Sequence, residues 1–127
     1  MLSIKKCRDF KADNYSGFVL GGDIGGTNAN IGIFGLKDNV PWLLLSFHFN
    51  TKELDGLPYA VNEVLEYFKK NYGHSIAKAC FAVAGCLSPG RDDAKVTNAR
   101  LHVKKKELLK NTPLKKIEII NDFEAVG

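Results

Sequence analysis

The stretch Phe18-Val19-Leu20-Gly21-Gly22-Asp23-Ile24-Gly25-Gly26-Thr27-Asn28-Ala29-Asn30-Ile31-Gly32-Ile33-Phe34 decides how this chain folds. A short apolar run, a glycine-rich bend and a partly alternating run predict strand, tight turn, strand. The first strand is expected over about 17–22 and the second over about 28–36. Glycine accepts positive φ and puts no Cβ between the backbone and a ligand. N–H groups that converge in such a turn can hold a phosphate. Thr27 and Asn28 add side-chain donors. Asp23 stands where the first strand ends, and a carboxylate there either holds Mg²⁺ through water or closes an Asx turn. Neither G-x-x-x-x-G-K-[ST] nor a helix-opening G-x-G-x-x-G is present. Taken alone, the stretch also suits an ordinary hairpin with glycines at its bend.

Downstream, Lys37-Asp38-Asn39 is a polar turn whose end Pro41 marks. Trp42 to Phe49 form a third strand, with Leu45, Phe47 and Phe49 on one face. Three strands joined by short turns make an antiparallel meander. The period then changes. Asp55-Gly56-Leu57-Pro58 starts a helix with proline in its first turn. Val61, Val64, Leu65, Phe68 and Tyr72 form its apolar stripe, Glu66 and Lys70 an i, i+4 pair, and Gly73 its end. Ala79 to Ala84 is a continuous apolar run, suited to a strand buried on both faces, with Gly85 to Gly90 as a loop beyond it. Ala94 to Thr97 make a short strand, Asn98 and Arg100 fall in a loop, and Lys104 to Lys110 make a short helix ahead of Pro113. Ile117 to Ile120 form the last strand, with Asp122 at its carboxyl end and Glu124 opening a helix whose dipole it suits. Upstream, residues 1–16 are polar and mixed, with Ile4, Cys7 and Phe10 three apart. They are an N-terminal arm, either a short helix or a loose leader.

The order predicts an α/β fold: a mixed five-stranded sheet, its first three strands an antiparallel meander, with helices on its faces. Ligands of open α/β sheets lie outside the carboxyl ends of the strands. Asp23, the Gly85 loop and Asp122 all fall at such ends, which predicts one shared site.

The bulk properties fit this picture. A chain of 127 residues with 45% hydrophobic and 25% charged residues suits one globular domain. The charge of +4 comes from scattered lysines. The run Lys104-Lys105-Lys106 carries no interleaved aromatics, so no nucleic-acid partner is expected. Cys7, Cys80 and Cys86 are odd in number and form no C-x-x-C, which suits reduced thiols and a cytoplasmic location. Cys80 suits the core, and Cys86 a cleft. His48, His74 and His102 are isolated, so no metal cluster is expected. No run approaches a membrane span, and no membrane partner is expected.

Gly22-Asp23-Ile24-Gly25-Gly26-Thr27-Asn28-Ala29 resembles the first phosphate motif of the glucokinase family, hexose kinases of the actin-like ATPase superfamily with its RNase H-like fold. Ile119-Ile120-Asn121-Asp122-Phe123-Glu124-Ala125 is similar to that family's sugar-site motif, and Val96-Thr97-Asn98 to a third segment. The resemblance covers about residues 18–127. It implies ATP-dependent phosphorylation of glucose, or a related hexose, at the 6-hydroxyl. Asp122 would be the catalytic base, with Asn98, Asn121 and Asp122 on the sugar. Gly22, Asp23, Gly25, Gly26, Thr27 and Asn28 would serve the nucleotide phosphates, and Asp23 would hold Mg²⁺ through water. For Asp122 a helix N-cap is the structural alternative, and for Asn98 and Asn121 a turn. Two departures concern the sugar: Gly85 is followed by Cys86 instead of proline, and Ala99-Arg100-Leu101-His102 lacks the usual aromatic. The resemblance also implies that residues 17–127 are the small N-terminal lobe. Its C-terminal lobe would supply the adenosine contacts, so this chain alone is expected to show little or no turnover. A homodimer is a further partner within the family's range.

Two other functions compete with this reading. A sugar- or nucleotide-binding regulator of the related repressor–kinase family can lose the base, whereas Asp122 is present, and residues 1–16 are too short for a helix-turn-helix. An RNase H-like nuclease would gather more carboxylates for two metals than Asp23 and Asp122 provide.

Overall fold

The computed structural model describes residues 3–97 and 99–121. Its main sheet begins with the glycine-rich hairpin. Strand β2 (Gly17–Ile24) pairs antiparallel with β3 (Asn28–Lys37), and β3 with β4 (Val40–Asn50). Asp38 and Asn39, both at positive φ (54° and 62°), join Lys37 to its partner Val40. That is a two-residue turn whose mirror-image twist matches the strands it connects. A bulge between Ile33 and Phe34 leaves Leu44 as the extra residue of β4. Leu44 is thereby buried alongside the alternating Leu45, Phe47 and Phe49.

Helix α1 (Leu57–Tyr72) follows, with Pro58 in its first turn and Gly73 at φ 74° ending it. Its stripe of Val61, Val64, Leu65 and Phe68 is buried against the sheet. Strand β5 (Lys78–Val83) then runs parallel to β2, and β9 (Lys116–Asn121) parallel to β5. Between them lie β6 (Gly85–Leu87), β7 (Asp93–Val96), β8 (His102–Lys104) and helix α2 (Lys105–Asn111).

The meander, the helices and the mixed sheet match the expected fold class, with three differences of detail. Among the described residues the sheet has six strands, in the order β1 (Ser3–Lys6)-β4-β3-β2-β5-β9. The extra one is β1, paired antiparallel with β4. Ser3–Lys6 of the N-terminal arm is therefore an edge strand, and the arm's helical part is one short 3-10 turn at Ala12–Asn14. Of the three spaced residues, Ile4 lies in the strand, Cys7 N–H donates to the Leu44 carbonyl at 2.9 Å, and Phe10 stacks on Tyr72 with centroids 4.9 Å apart. The Gly85 segment is not a simple loop either: β6, β7 and β8 form a second, antiparallel sheet. Finally, β5 alternates instead of being buried on both faces. Ala79, Phe81 and Val83 enter the core, while Cys80 and Ala82 are half-buried on the opposite face.

Candidate active site at the carboxyl ends of the parallel strands

The three parallel strands end level. Ile24, Val83 and Asn121 are partners in one row across β2, β5 and β9. At the usual strand spacing, Asn121 stands about 10 Å from the end of β2. The chain leaves β2 through Gly25-Gly26-Thr27, and Gly25 N–H donates to the Asn28 carbonyl at 2.9 Å. Thr27 and Asn28 are exposed.

The glycines divide their work. Gly25 lies outside the left-handed region, and a Cβ on it would stand 3.2 Å from the Asn28 carbonyl, so tightness of the turn is its role. Gly21 and Gly22 lie inside β2, not in the turn. A Cβ at Gly22 would come within 2.4 Å of the Phe81 ring, and one at Gly21 within 2.7 Å of Phe34. Half of the glycine signal therefore reports aromatic rings lying over the strand.

Thr51 was not singled out by its sequence context, yet it holds this turn. It is 1% exposed. Its Oγ1 donates to the Gly25 carbonyl at 2.8 Å, and its N–H to the Thr27 carbonyl at 2.9 Å. Nothing around Asn50-Thr51-Lys52 signals this, because the partners are more than twenty positions away in the chain.

Asn121 Nδ2 donates to the Gly85 carbonyl at 3.0 Å, which ties the end of β9 to the start of β6. Gly85 is required there, since a Cβ would stand 1.8 Å from the Lys95 carbonyl. Ala84 N–H reaches the Ile24 carbonyl and Thr97 N–H the Ala84 carbonyl, at 2.9 and 2.8 Å. The glycine turn, the Gly85 segment, Thr97 and Asn121 are thus one connected patch. Asn98 and Asp122 lie outside the described residues. A cleft of about 840 Å³ opens beside the patch, bordered by Thr51, Lys52, Cys86, Lys95, Thr97 and Arg100. Cys86 faces this cleft, as its position suggested. Cys80 is on the open sheet face, where burial and then the Glu118 charge raise its thiol pKa.

Asp23 is at the same end of the sheet but on the opposite face from Asn121, one register position before Ile24. It is exposed, and no hydrogen bond or ion pair engages its carboxylate among the described residues. No group of three or more His, Cys, Asp or Glu suited to a metal occurs among those residues. A single carboxylate fits Mg²⁺ that arrives on a nucleotide, because Mg²⁺ keeps most of its waters and takes one or two protein carboxylates plus phosphates.

A mixed sheet with an antiparallel meander beside parallel strands that end level is the actin-like ATPase fold of the sugar kinases. The glucokinase family model matches residues 20–127, and the chain belongs to that family. The glucokinase of Synechocystis sp. is 31% identical over 115 residues, covering 85% of this chain and 32% of that protein. That of Tolumonas auensis is 32% identical over 110 residues, covering 86% and 32%. The chain thus spans about a third of the length of these curated relatives. Among solved structures, glucokinase from Balamuthia mandrillaris in complex with glucose aligns with a TM-score of 0.69 and 27% identity, over 85% of this chain and 30% of that one. Glucokinase from an Antarctic psychrotroph aligns at 0.67 and 26%, over 85% and 33%. No helix among the described residues is long and apolar enough to cross a membrane.

Proposed function

We propose that this chain is the small-lobe part of a hexose kinase that transfers the γ-phosphoryl group of ATP to the 6-hydroxyl of glucose or a related hexose. Gly25, Gly26, Thr27 and Asn28 take the phosphates, with Gly22 seating the strand beneath them. Asp23 meets the nucleotide's Mg²⁺ through water. Asn121 and Asn98 hydrogen-bond sugar hydroxyls. Asp122 accepts the proton of the attacking hydroxyl. Adenosine is bound by a C-terminal lobe, a reading supported by relatives about three times as long. Phosphoryl transfer asks for positioning and charge neutralisation more than covalent participation, and these residues supply both.

One observation carries the reading: the glycine turn and Asn121 end level on strands two apart, joined through Ile24, Ala84 and Gly85. Asp122 follows Asn121 directly. The test is Asp122→Ala in the intact protein that contains this chain. Hexose-dependent ADP formation should fall by about 10²- to 10⁴-fold, the usual worth of a general base. Nucleotide binding should change little. Retained turnover would remove Asp122 as the base.

A further inference from the structure

The cleft beside the site carries a charge imbalance that the neutral hydroxyls of a hexose do not call for. Lys52, Lys95 and Arg100 border it, against one carboxylate, Asp55, among the described residues. Three separate elements bring these cations together. Lys52 lies in the 3-10 turn Thr51–Glu53 after β4, Lys95 in β7, and Arg100 in the segment between β7 and β8. Lys95 stands opposite Cys86 in the β6–β7 ladder, so both side chains leave the same face of the small sheet. All four charged residues are exposed, and no ion pair engages any of them among the described residues. Like charges gathered without a counter-ion raise the local potential, and a concave wall focuses it. An anion entering the cleft gains from all three cations at once.

We propose that this cleft binds a hexose phosphate, whose phosphate group meets Lys52, Lys95 and Arg100. The hexose part rests on the sugar contacts proposed above for Asn121. Arginine offers paired N–H donors that match phosphate oxygens, and lysine adds point charge. The volume of about 840 Å³ suits a small organic molecule and is far more than an orthophosphate fills. Leu54 and Leu101 supply apolar wall for the carbon skeleton, and Thr97 a hydroxyl for a sugar oxygen. A nucleotide or inorganic phosphate shares the charge but not the sugar, which gives the test its arms.

Cys86 borders the cleft and is exposed, whereas Cys7 and Cys80 are half-buried, so its alkylation reports occupancy. Glucose 6-phosphate, titrated at constant ionic strength into the 127-residue chain, should slow alkylation of Cys86 by iodoacetamide, read from the mass of its peptide. It should do so at concentrations about tenfold below those that glucose requires. Lys95→Gln and Arg100→Gln should each raise the half-protecting concentration about tenfold, measured against each variant's own ligand-free rate, the scale of one charge-assisted hydrogen bond. Lys70→Gln, at an exposed position of α1, removes the same charge elsewhere and should leave that concentration within about twofold. Equal protection by glucose and glucose 6-phosphate would overturn the anion site and leave the hexose reading standing. Equal protection by inorganic phosphate or ADP would overturn the assignment to a sugar phosphate. A loss with Lys70→Gln as large as with Lys95→Gln would make the effect one of net charge and overturn the site. Protection by neither glucose nor glucose 6-phosphate would overturn the cleft site and count against the hexose reading with it.

Discussion

Gly85 and Thr51 hold the site together by opposite means, one through an absent side chain and the other through a buried hydroxyl. At Gly85 the nearest obstacle is a backbone carbonyl, which cannot move aside as a flexible side chain can. Gly85→Ala should therefore cost about 3 kcal/mol, the upper range for overpacking, read as a lower denaturant midpoint. The loss of β6–β7 pairing should appear as lost amide protection around Lys95 and Val96. At Thr51, valine keeps the shape and removes the donor to the Gly25 carbonyl. Thr51→Val should cost about 1–2 kcal/mol by chemical denaturation, because a part-buried carbonyl loses its donor. Its backbone bond to Thr27 should persist, so the turn should loosen without melting.

At the scale of elements, helix α1 holds one face of the sheet. Phe68 is fully buried, with its ring 4.9 Å from that of Phe18 and 5.3 Å from that of Tyr72. Phe68→Ala should destabilise by about 3–5 kcal/mol, seen as a fall in melting temperature. The helix was legible because its signals are local: proline at the start, glycine at the end and a 3.6-residue stripe between them. The meander was legible for the same reason. Strand β1 was not, since Ser3-Ile4-Lys5-Lys6 carries no alternation, and only the free edge of β4 gives it a partner. The same holds for β6 and β8, three residues each, which are strands only because β7 lies between them.

Considered whole, the molecule presents its glycine turn and Asn121 at one end of the sheet, with Asp23 on the far face of that end. A lobe closing over this end would complete a nucleotide site. The chain spans about a third of its curated relatives. Assayed alone with glucose and MgATP in a coupled assay, it should show little or no turnover. Robust activity of the 127-residue chain would mean that it holds the whole site.

The sequence by itself determined the family, the meander, the helix and the two polar motifs, because each rests on neighbours a few residues apart. Only the tertiary structure decided what the glycines make room for, that Thr51 secures the turn, that Asn121 meets Gly85, and that Asp23 shares its face with Asn30 and His48. Those partners are separated by many positions along the chain. Packing of the whole sheet and its connections brings them together, and the strand register that aligns Asp23 with Asn30 and His48 is set by that same packing.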